Sequence, residues 1–232
     1  MVLQTEWLGR MGYRAAWRHQ HELVEARAAG RIADQLLLVE HEPVLTLGIR
    51  SDPRHIRASP ALLAERGIEV IQVERGGDVT YHGPGQLVAY PIIRLADSGV
   101  LLRPFVRALE AAMSDVAASY GVTAGRRDGY PGCWCDPTLA RPRKLGALGL
   151  KVQQGVTLHG IALNVSTDLT DFGLIDACGL VGLEATSLAR ELDWHGVDAR
   201  GSTDLVHRAG LRFAEALQRR LREVADRAAV AA

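Results

Sequence analysis

Residues 144–165 read KLGALGLKVQQGVTLHGIALNV, which is two apolar runs separated by a short polar segment. The runs cover Lys144 to Val152 and Val156 to Val165, and the intervening Gln153-Gln154-Gly155 is typical of a hairpin connection. Strands joined by so short a turn pair antiparallel, because a parallel pair needs a crossover of a dozen or more residues. The segment therefore predicts a β-hairpin that brings antiparallel pairing into the sheet.

Outward from this hairpin, apolar spacing predicts three helices and four further strands. The helices are expected at residues 12–29, 104–120 and about 203–227, and the strands at 35–40, 44–47, 68–73 and 86–95. Pro91, inside the last strand, indicates an edge or a bulge. Strands in runs, with helices at the beginning, middle and end, predict an α+β fold with a mixed, mostly antiparallel sheet flanked by helices. Since no repeat or Pro/Ser linker divides the sequence, residues 1–232 are expected to form a single domain.

The composition excludes several classes of protein. Lys plus Arg and Asp plus Glu each number 27, so the chain lacks the basic surplus by which nucleic-acid binders neutralise phosphates. At 47% hydrophobic and 23% charged it is typical of a globular protein, without an apolar run near the roughly 20 residues of a membrane span. The amino terminus lacks a secretory pattern, and three cysteines fit a reducing cytoplasm better than a disulfide framework. We therefore expect a cytoplasmic protein that binds neither nucleic acid nor membranes.

Lysine is rare in this chain, and the 27 basic residues divide into 25 arginines and two lysines, Lys144 and Lys151. Arginine stays protonated at physiological pH, whereas a lysine can exchange its proton when its surroundings lower its pKa. On a regular strand, residues seven apart point to opposite faces, so at most one of the two lysines faces a given cleft. Lys144, beside the glycines, is the better candidate, and Lys151 is expected in solvent at the hairpin end.

The glycine-rich stretch ERGGDVTYHGPGQ, residues 74–86, directly follows a predicted strand. Glycine lets backbone amides approach a ligand closely, and successive amides can hold an anionic or carbonyl oxygen. The alternative is a structural turn in which the glycines serve backbone geometry alone. The stretch matches neither the dinucleotide pattern GxGxxG nor the phosphate loop GxxxxGK[ST]. His82 is a candidate general base or substrate donor, or it only fixes the loop.

His159 and the three cysteines each allow two interpretations. On a strand His159 would share a face with Ile161 and Leu163 as a core residue, although Gly160 beside it leaves room for a ligand. Cys133 and Cys135 lack a second ligand pair at zinc spacing, so on a strand they would be small buried hydrophobes on one face. Cys178 is either an inert loop thiol or a nucleophile activated by a nearby charge.

Four blocks in order, RGGDVTYHGPGQLVAYPI, RKLGALGLKV, GVTLHGIALNV and the ACG loop, resemble the lipoyl(octanoyl) transferases of protein lipoylation. They extend from about Arg75 to Ser187. The resemblance implies the fold of the biotin/lipoate protein ligase catalytic domain, with neither cofactor nor metal. It also implies transfer of an octanoyl group from octanoyl-acyl carrier protein to a lysine of a lipoyl domain in 2-oxoacid dehydrogenase complexes, or of glycine cleavage H protein.

By the same resemblance, Cys178 is the acyl-thioester nucleophile, and Lys144 lowers its pKa and relays protons. The residues that match the family's substrate-binding segments are Arg75, Gly76, Gly77, Asp78, Val79, Thr80, Tyr81, His82, Ala147, Leu148, Gly149, His159, Gly160, Ile161 and Ala162. Backbone amides of these glycine segments are candidate donors to the developing oxyanion. Gly146 departs from the family pattern and is expected to loosen the strand that carries Lys144. Two alternatives remain: an ATP-dependent lipoate or biotin ligase, and a noncatalytic module that docks lipoyl domains.

Overall fold

The computed structural model describes residues 3–176, 184–194 and 203–230. The strands are β1 (Gln4–Met11), β2 (Gln35–His41), β3 (Val44–Leu47), β4 (Glu69–Gln72), β5 (Val79–His82), β6 (Gln86–Ile92), β7 (Ala124–Arg127), β8 (Tyr130–Cys135), β9 (Arg143–Gln153), β10 (Val156–Asn164) and β11 (Glu184–Ala185). The α-helices are α1 (Tyr13–Ala28), α2 (Pro60–Glu65), α3 (Leu102–Ser119), α4 (Leu188–Glu191) and α5 (Thr203–Val230). Short 3₁₀ helices cover Pro53–His55, Leu95–Ser98 and Leu169–Leu174.

The described strands form two sheets. The larger has the order β1-β2-β6-β10-β9-β8-β7, and β11 pairs with β9. Its β1–β2 and β9–β11 pairs are parallel and its other pairs antiparallel, which confirms the predicted mixed, mostly antiparallel sheet. The smaller sheet has the order β4-β3-β5 and contains part of the stretch read as a loop, since Val79–His82 forms β5. The glycine-rich stretch is thus a loop followed by an edge strand.

Helices cover both faces of the larger sheet. Leu36 and Leu38 of β2 lie in the core cluster of α3 and α5, whereas Leu37 and Val39 lie in the cluster of α1. Because successive strand residues point to opposite faces, a strand buried on both sides reads as a continuous apolar run. No helix within the described ranges has the length and apolar character needed to cross a bilayer.

The predicted hairpin is present as β9 and β10, with a shorter turn than expected. Gln153 pairs with Val156, so only Gln154 and Gly155 form the turn. Both have positive φ, +52° and +77°, as a two-residue type I′ turn requires. The two lysines are placed as expected: Lys144 lines a cavity and Lys151 is exposed.

Of the two alternatives expected for Pro91, an edge or a bulge, the edge is excluded, because β6 lies between β2 and β10. The β6–β10 ladder ends at the pair Ala89–Ile161, so Pro91 is not required to donate a hydrogen bond there. Gly146 is paired with Cys133 on one side and Leu163 on the other, and a Cβ atom at Gly146 would lie 2.7 Å from the Met113 sulfur. Glycine at position 146 therefore lets α3 pack closely on the sheet.

Candidate active site

A cavity of about 580 Å³ lies between residues 75–82 and strands β6, β9 and β10. This volume is typical of small-molecule sites. The sequence-predicted residues that line it are Arg75, Gly76, Gly77, Asp78, Val79, Thr80, His82, Lys144, Ala147, Leu148, Gly149, His159, Gly160, Ile161 and Ala162. Blocks that are far apart in the sequence thus meet around one space.

One predicted residue that the structure describes, Tyr81, is not among the cavity lining. Tyr81 lies in a separate apolar cluster with Leu45 and Leu174, and its ring contacts the Phe172 ring edge-on at 5.6 Å. The alternation of β5 explains this placement, because Thr80 and His82 line the cavity and Tyr81 points to the other face. Cys178 lies outside the described residues.

Arg75 fixes the loop that forms one wall. Its Nη2 group donates hydrogen bonds to the Thr46 carbonyl oxygen at 2.6 Å and to Thr46 Oγ1 at 2.9 Å, and Nε also donates to Oγ1 at 3.1 Å. Its Nη1 donates to the Gly76 carbonyl oxygen at 3.1 Å. The Gly76 N–H donates to the Leu150 carbonyl oxygen at 2.9 Å, which joins the loop to β9. That amide is therefore not available as an oxyanion donor.

His82 is a neutral, buried residue in a defined tautomer. Gln86 uses its amide group to donate to the Tyr81 carbonyl oxygen and to Asn164 Oδ1, so Gln86 Oε1 accepts from His82 Nδ1 at 2.7 Å. Since Thr46 Oγ1 accepts from Arg75, its hydroxyl proton is assigned to His82 Nε2, 3.3 Å away. Burial lowers the pKa of His82 to about 3. Within the protein, His82 fixes the loop through these two bonds.

His159 lies at the inner end of the cavity and is only 1% exposed. It has a φ of +60°, which is unusual for a residue with a side chain, and this conformation interrupts the expected strand alternation. Its Nδ1 is 3.4 Å from the Tyr13 hydroxyl, and its Nε2 is 3.4 Å from Glu74 Oε1. Burial lowers the pKa of His159 despite the nearby carboxylate. His159 is thus both a buried core residue and part of the cavity wall.

Gly160 serves packing between strands. A Cβ atom at this position would lie 2.0 Å from the Ala89 carbonyl oxygen and 2.8 Å from Pro91 Cδ. The absent side chain therefore admits the neighbouring strand β6, although Gly160 also lines the cavity.

Lys144 is held by strands on both sides. Trp134 of β8 is its antiparallel partner, and Ala185 of β11 is its parallel partner. The Thr186 N–H donates to the Lys144 carbonyl oxygen at 2.9 Å, and Asn164 Nδ2 donates to the Thr186 carbonyl oxygen, also at 2.9 Å. The backbone on the carboxyl side of residues 177–183 is therefore attached to the strand that carries Lys144.

Cys133 and Cys135 are buried thiols in the main core, as predicted. Burial raises the pKa of each to about 12, so both are protonated at neutral pH and unsuited to nucleophilic chemistry. Among the residues that the structure describes, no group of three or more His, Cys, Asp or Glu side chains is arranged to hold a metal ion.

Sequence reasoning missed several residues of the cavity wall. They are Tyr13, Arg50, His55, Val88, Tyr90, Gly129, Tyr130, Pro131 and Leu150. Tyr13 begins α1 and Tyr90 lies in β6, and neither belongs to a short motif around a chemical group. Only the folding of α1 over the sheet brings the two tyrosines to the cavity.

The fold resembles that of solved lipoate and biotin protein ligases. A bipartite lipoate protein ligase from Thermoplasma acidophilum superposes with a TM-score of 0.61 at 14% identity, covering 97% of this chain and 92% of that one. Biotin protein ligase from Aquifex aeolicus superposes with a TM-score of 0.56 at 12% identity, covering 96% of this chain and 72% of that one. At these identities the likeness establishes the fold alone.

Sequence similarity is closer and more specific. The model of the lipoyl protein ligase A/B catalytic domain matches residues 12–204. An octanoyltransferase of Chloroflexus aurantiacus is 45% identical over 92% of this chain and 95% of its own length, and one of Acidobacterium capsulatum is 45% identical over 92% and 89%. The chain belongs to the lipoyl protein ligase A/B catalytic domain family, and within it to the acyltransferases. The alternative of a noncatalytic docking module is therefore wrong.

Proposed function

We propose that this acyltransferase moves an octanoyl group from octanoyl-acyl carrier protein to a specific lysine of a lipoyl domain or of glycine cleavage H protein. The observation that carries the proposal is the cavity, where Lys144 lies on a wall shared with small and apolar residues of β9 and β10. An aliphatic chain can pack against such a wall. The amine of Lys144, on the same wall, is a group that can take part in acyl transfer. The relatives named octanoyltransferase support the same acyl group.

The proposed nucleophile is the thiol of Cys178. A thiol with a pKa near 8.5 is only about 3% thiolate at pH 7, so an adjacent ammonium group that lowers this pKa increases the reactive fraction. The residues before and after positions 177–183 support this pairing. The Asp176 N–H donates to the carbonyl oxygen of cavity-lining His55 at 2.8 Å, and Ala185 pairs with Lys144. Cys178 thus belongs to a short segment whose two described neighbours are both attached to the cavity wall.

The reaction then divides into two steps. The Cys178 thiolate attacks the donor carbonyl carbon, the donor C–S bond breaks, and the carrier thiolate leaves as a thiol after taking a proton from the Lys144 ammonium group. The neutral acceptor amine next attacks the enzyme thioester, the enzyme C–S bond breaks to return the Cys178 thiolate, and the amide forms as neutral Lys144 takes the proton that the attacking nitrogen loses. Because one thioester replaces another in the first step, no ATP is consumed, and the kinetics are ping-pong.

Intact-mass measurement after incubation with octanoyl-acyl carrier protein tests this mechanism. We expect one octanoyl adduct in the native enzyme and none in Cys178→Ala, whereas an adduct that persists in Cys178→Ala would refute the assigned nucleophile. Lys144→Arg retains the positive charge but not the proton exchange, and we expect it to fold normally and lose most transfer activity. Ligation of free octanoate that requires ATP would instead assign the chain to the ligase reaction.

A further inference from the structure

The ammonium group of Lys144 lies over an aromatic ring. Its Nζ atom is 5.1 Å from the centroid of the Trp134 ring, within the roughly 6 Å range of a cation–π interaction. We infer that Trp134 is a positioning residue for acyl transfer, which holds the Lys144 ammonium group at the edge of the cavity. This inference rests on the role proposed for Lys144.

An irregular register creates the contact between the two side chains. Cys133 pairs with Gly146, whereas the next residue of β8, Trp134, pairs with Lys144, so β9 contains one additional residue, Leu145. With regular pairing Trp134 would lie opposite Leu145, and Lys144 would lie opposite Cys135. Directly opposed residues of an antiparallel pair have their side chains on the same face, in contact distance. The additional residue therefore brings the lysine and the indole together.

The indole is itself fixed in position. Trp134 is fully buried, and its Nε1–H donates to the Tyr130 carbonyl oxygen at 3.0 Å. The Tyr130 ring contacts it edge-on at 6.2 Å. A ring with no freedom to rotate offers its face at a constant place, so an ammonium group bound to it loses its own freedom as well.

A glycine provides room for the lysine stem. Gly132 has a φ of +132°, and a Cβ atom there would lie 3.2 Å from Lys144 Cε and 2.4 Å from the Gly146 carbonyl oxygen. The Gly132 N–H donates to Oε1 of buried Glu110 at 3.1 Å, which fixes this backbone to α3. Glu110, Gly132 and Trp134 together form the support on which the Lys144 side chain lies.

The ring attracts the charged form of the lysine side chain. The negative face of an indole attracts an ammonium ion and has little attraction for a neutral amine, so removing the ring is expected to weaken the binding of the ammonium group. The charged or titratable groups on the elements around Lys144 are Arg126 and Arg127 of β7, Arg103, Arg107, Glu110 and Asp115 of α3, Tyr130, Cys133 and Cys135 of β8, Arg143 and Lys151 of β9, Glu184 of β11, and Arg190 and Glu191 of α4. Arg127 lies 5.5 Å from the same Trp134 ring.

The rarity of lysine makes a direct test possible. The chain has only two lysines, and exposed Lys151 is an internal reference for Lys144. We would acetylate the full-length enzyme with limiting acetic anhydride across a pH series and quantify both lysine-containing peptides by mass spectrometry. The midpoint of the Lys144 rate against pH reports its ionisation, whereas altered access to the cavity changes only the plateau.

Trp134→Leu is expected to shift the Lys144 midpoint to lower pH and leave that of Lys151 unchanged. Below the midpoint, the Lys144 to Lys151 labelling ratio rises about three- to tenfold, which corresponds to about 0.7–1.4 kcal/mol of lost cation–π attraction. Trp134→Phe retains a ring and is expected to shift the midpoint by a smaller amount. Trp194→Leu makes the same replacement at a half-buried indole that contacts Tyr120, and both midpoints should stay unchanged.

An unchanged Lys144 midpoint in Trp134→Leu, with native circular dichroism, would overturn the inference. If Trp134→Leu fails to fold, an unchanged midpoint in Trp134→Phe overturns it equally. In the transfer assay we expect Trp134→Leu to lower kcat with little change in the KM for the donor. Because labelling requires no acyl donor, a shifted midpoint in a chain without octanoyl transfer would confirm the contact between Trp134 and Lys144 but refute the proposed function, and with it a role of that contact in acyl transfer.

Discussion

Replacing Arg75 by Met tests whether this cavity residue acts on the loop or on the substrate. Methionine keeps much of the side-chain volume and removes the guanidinium group, which donates to three acceptors: the Thr46 carbonyl oxygen, Thr46 Oγ1 and the Gly76 carbonyl oxygen. A buried acceptor that loses its donor costs about 1–3 kcal/mol. The Thr46 hydroxyl keeps the hydrogen bond that it donates to His82 Nε2, whereas two carbonyl oxygens lose the guanidinium donor, so we expect Arg75→Met to lower the free energy of unfolding by about 2–4 kcal/mol.

The assay is urea denaturation and thermal melting followed by circular dichroism. In a chain of this length 1 kcal/mol corresponds to about 2–4 °C, so the melting temperature should fall by about 5–15 °C. Arg75→Lys retains the charge with fewer directed donors and should be intermediate. The control is Arg14→Met, which removes an exposed pair with Glu69 and should melt like the native protein. If Arg75→Met retained native stability and only raised the KM for the donor, the guanidinium group would be a substrate ligand instead of a support.

Two further predictions concern packing and pH. Gly160→Ala places a Cβ atom 2.0 Å from the Ala89 carbonyl oxygen and should abolish soluble expression, whereas Gly173→Ala, with nothing within 4 Å, should express and melt normally; native-like melting of Gly160→Ala would contradict the packing role. Burial lowers the pKa of His82 to about 3 and that of His41 to about 4, from the ordinary histidine value of 6.5. At a pH between the lowered values and 6.5, these histidines are therefore protonated in the unfolded chain and neutral in the folded one. Stability is therefore lost as the pH falls, by about 2 kcal/mol for each histidine at pH 5, and identical urea midpoints at pH 7 and pH 5 would refute this.

The sequence predicted those parts of the fold that depend on local pattern. The hairpin of β9 and β10 follows from two apolar runs and a glycine, and it lies within a residue or two of the predicted bounds. The turn was shorter than expected because Gln154 adopts a positive φ, a conformation that a glutamine does not predict. β5 was missed because four residues in a glycine-rich stretch are too few to show alternation, and pairing with β3 makes them a strand.

The sequence predicted which segments and which distinctive residues form the candidate site. Lys144 was found by its rarity and by strand parity, and the glycine stretch by its composition. The role of Trp134 was not predictable, because it depends on a one-residue irregularity in the β8–β9 register. Tyr81 belongs to a matching block without lining the cavity, since a block does not show which of its side chains face the cavity.

Arg75 and Lys144, two of the cations that line the cavity, illustrate why a formal charge does not define a role. Arg75 uses the fixed fork of its guanidinium to join Thr46 to Gly76, so a lysine there keeps the charge and loses the geometry. Lys144 lies on an aromatic ring as a single point charge, so an arginine there keeps the charge and loses the exchangeable proton. The reciprocal replacements should therefore fail in opposite ways, with Arg75→Lys less stable and Lys144→Arg stable but inactive. In a chain that uses arginine at 25 of its 27 basic positions, we therefore propose that position 144 is lysine because proton transfer requires it.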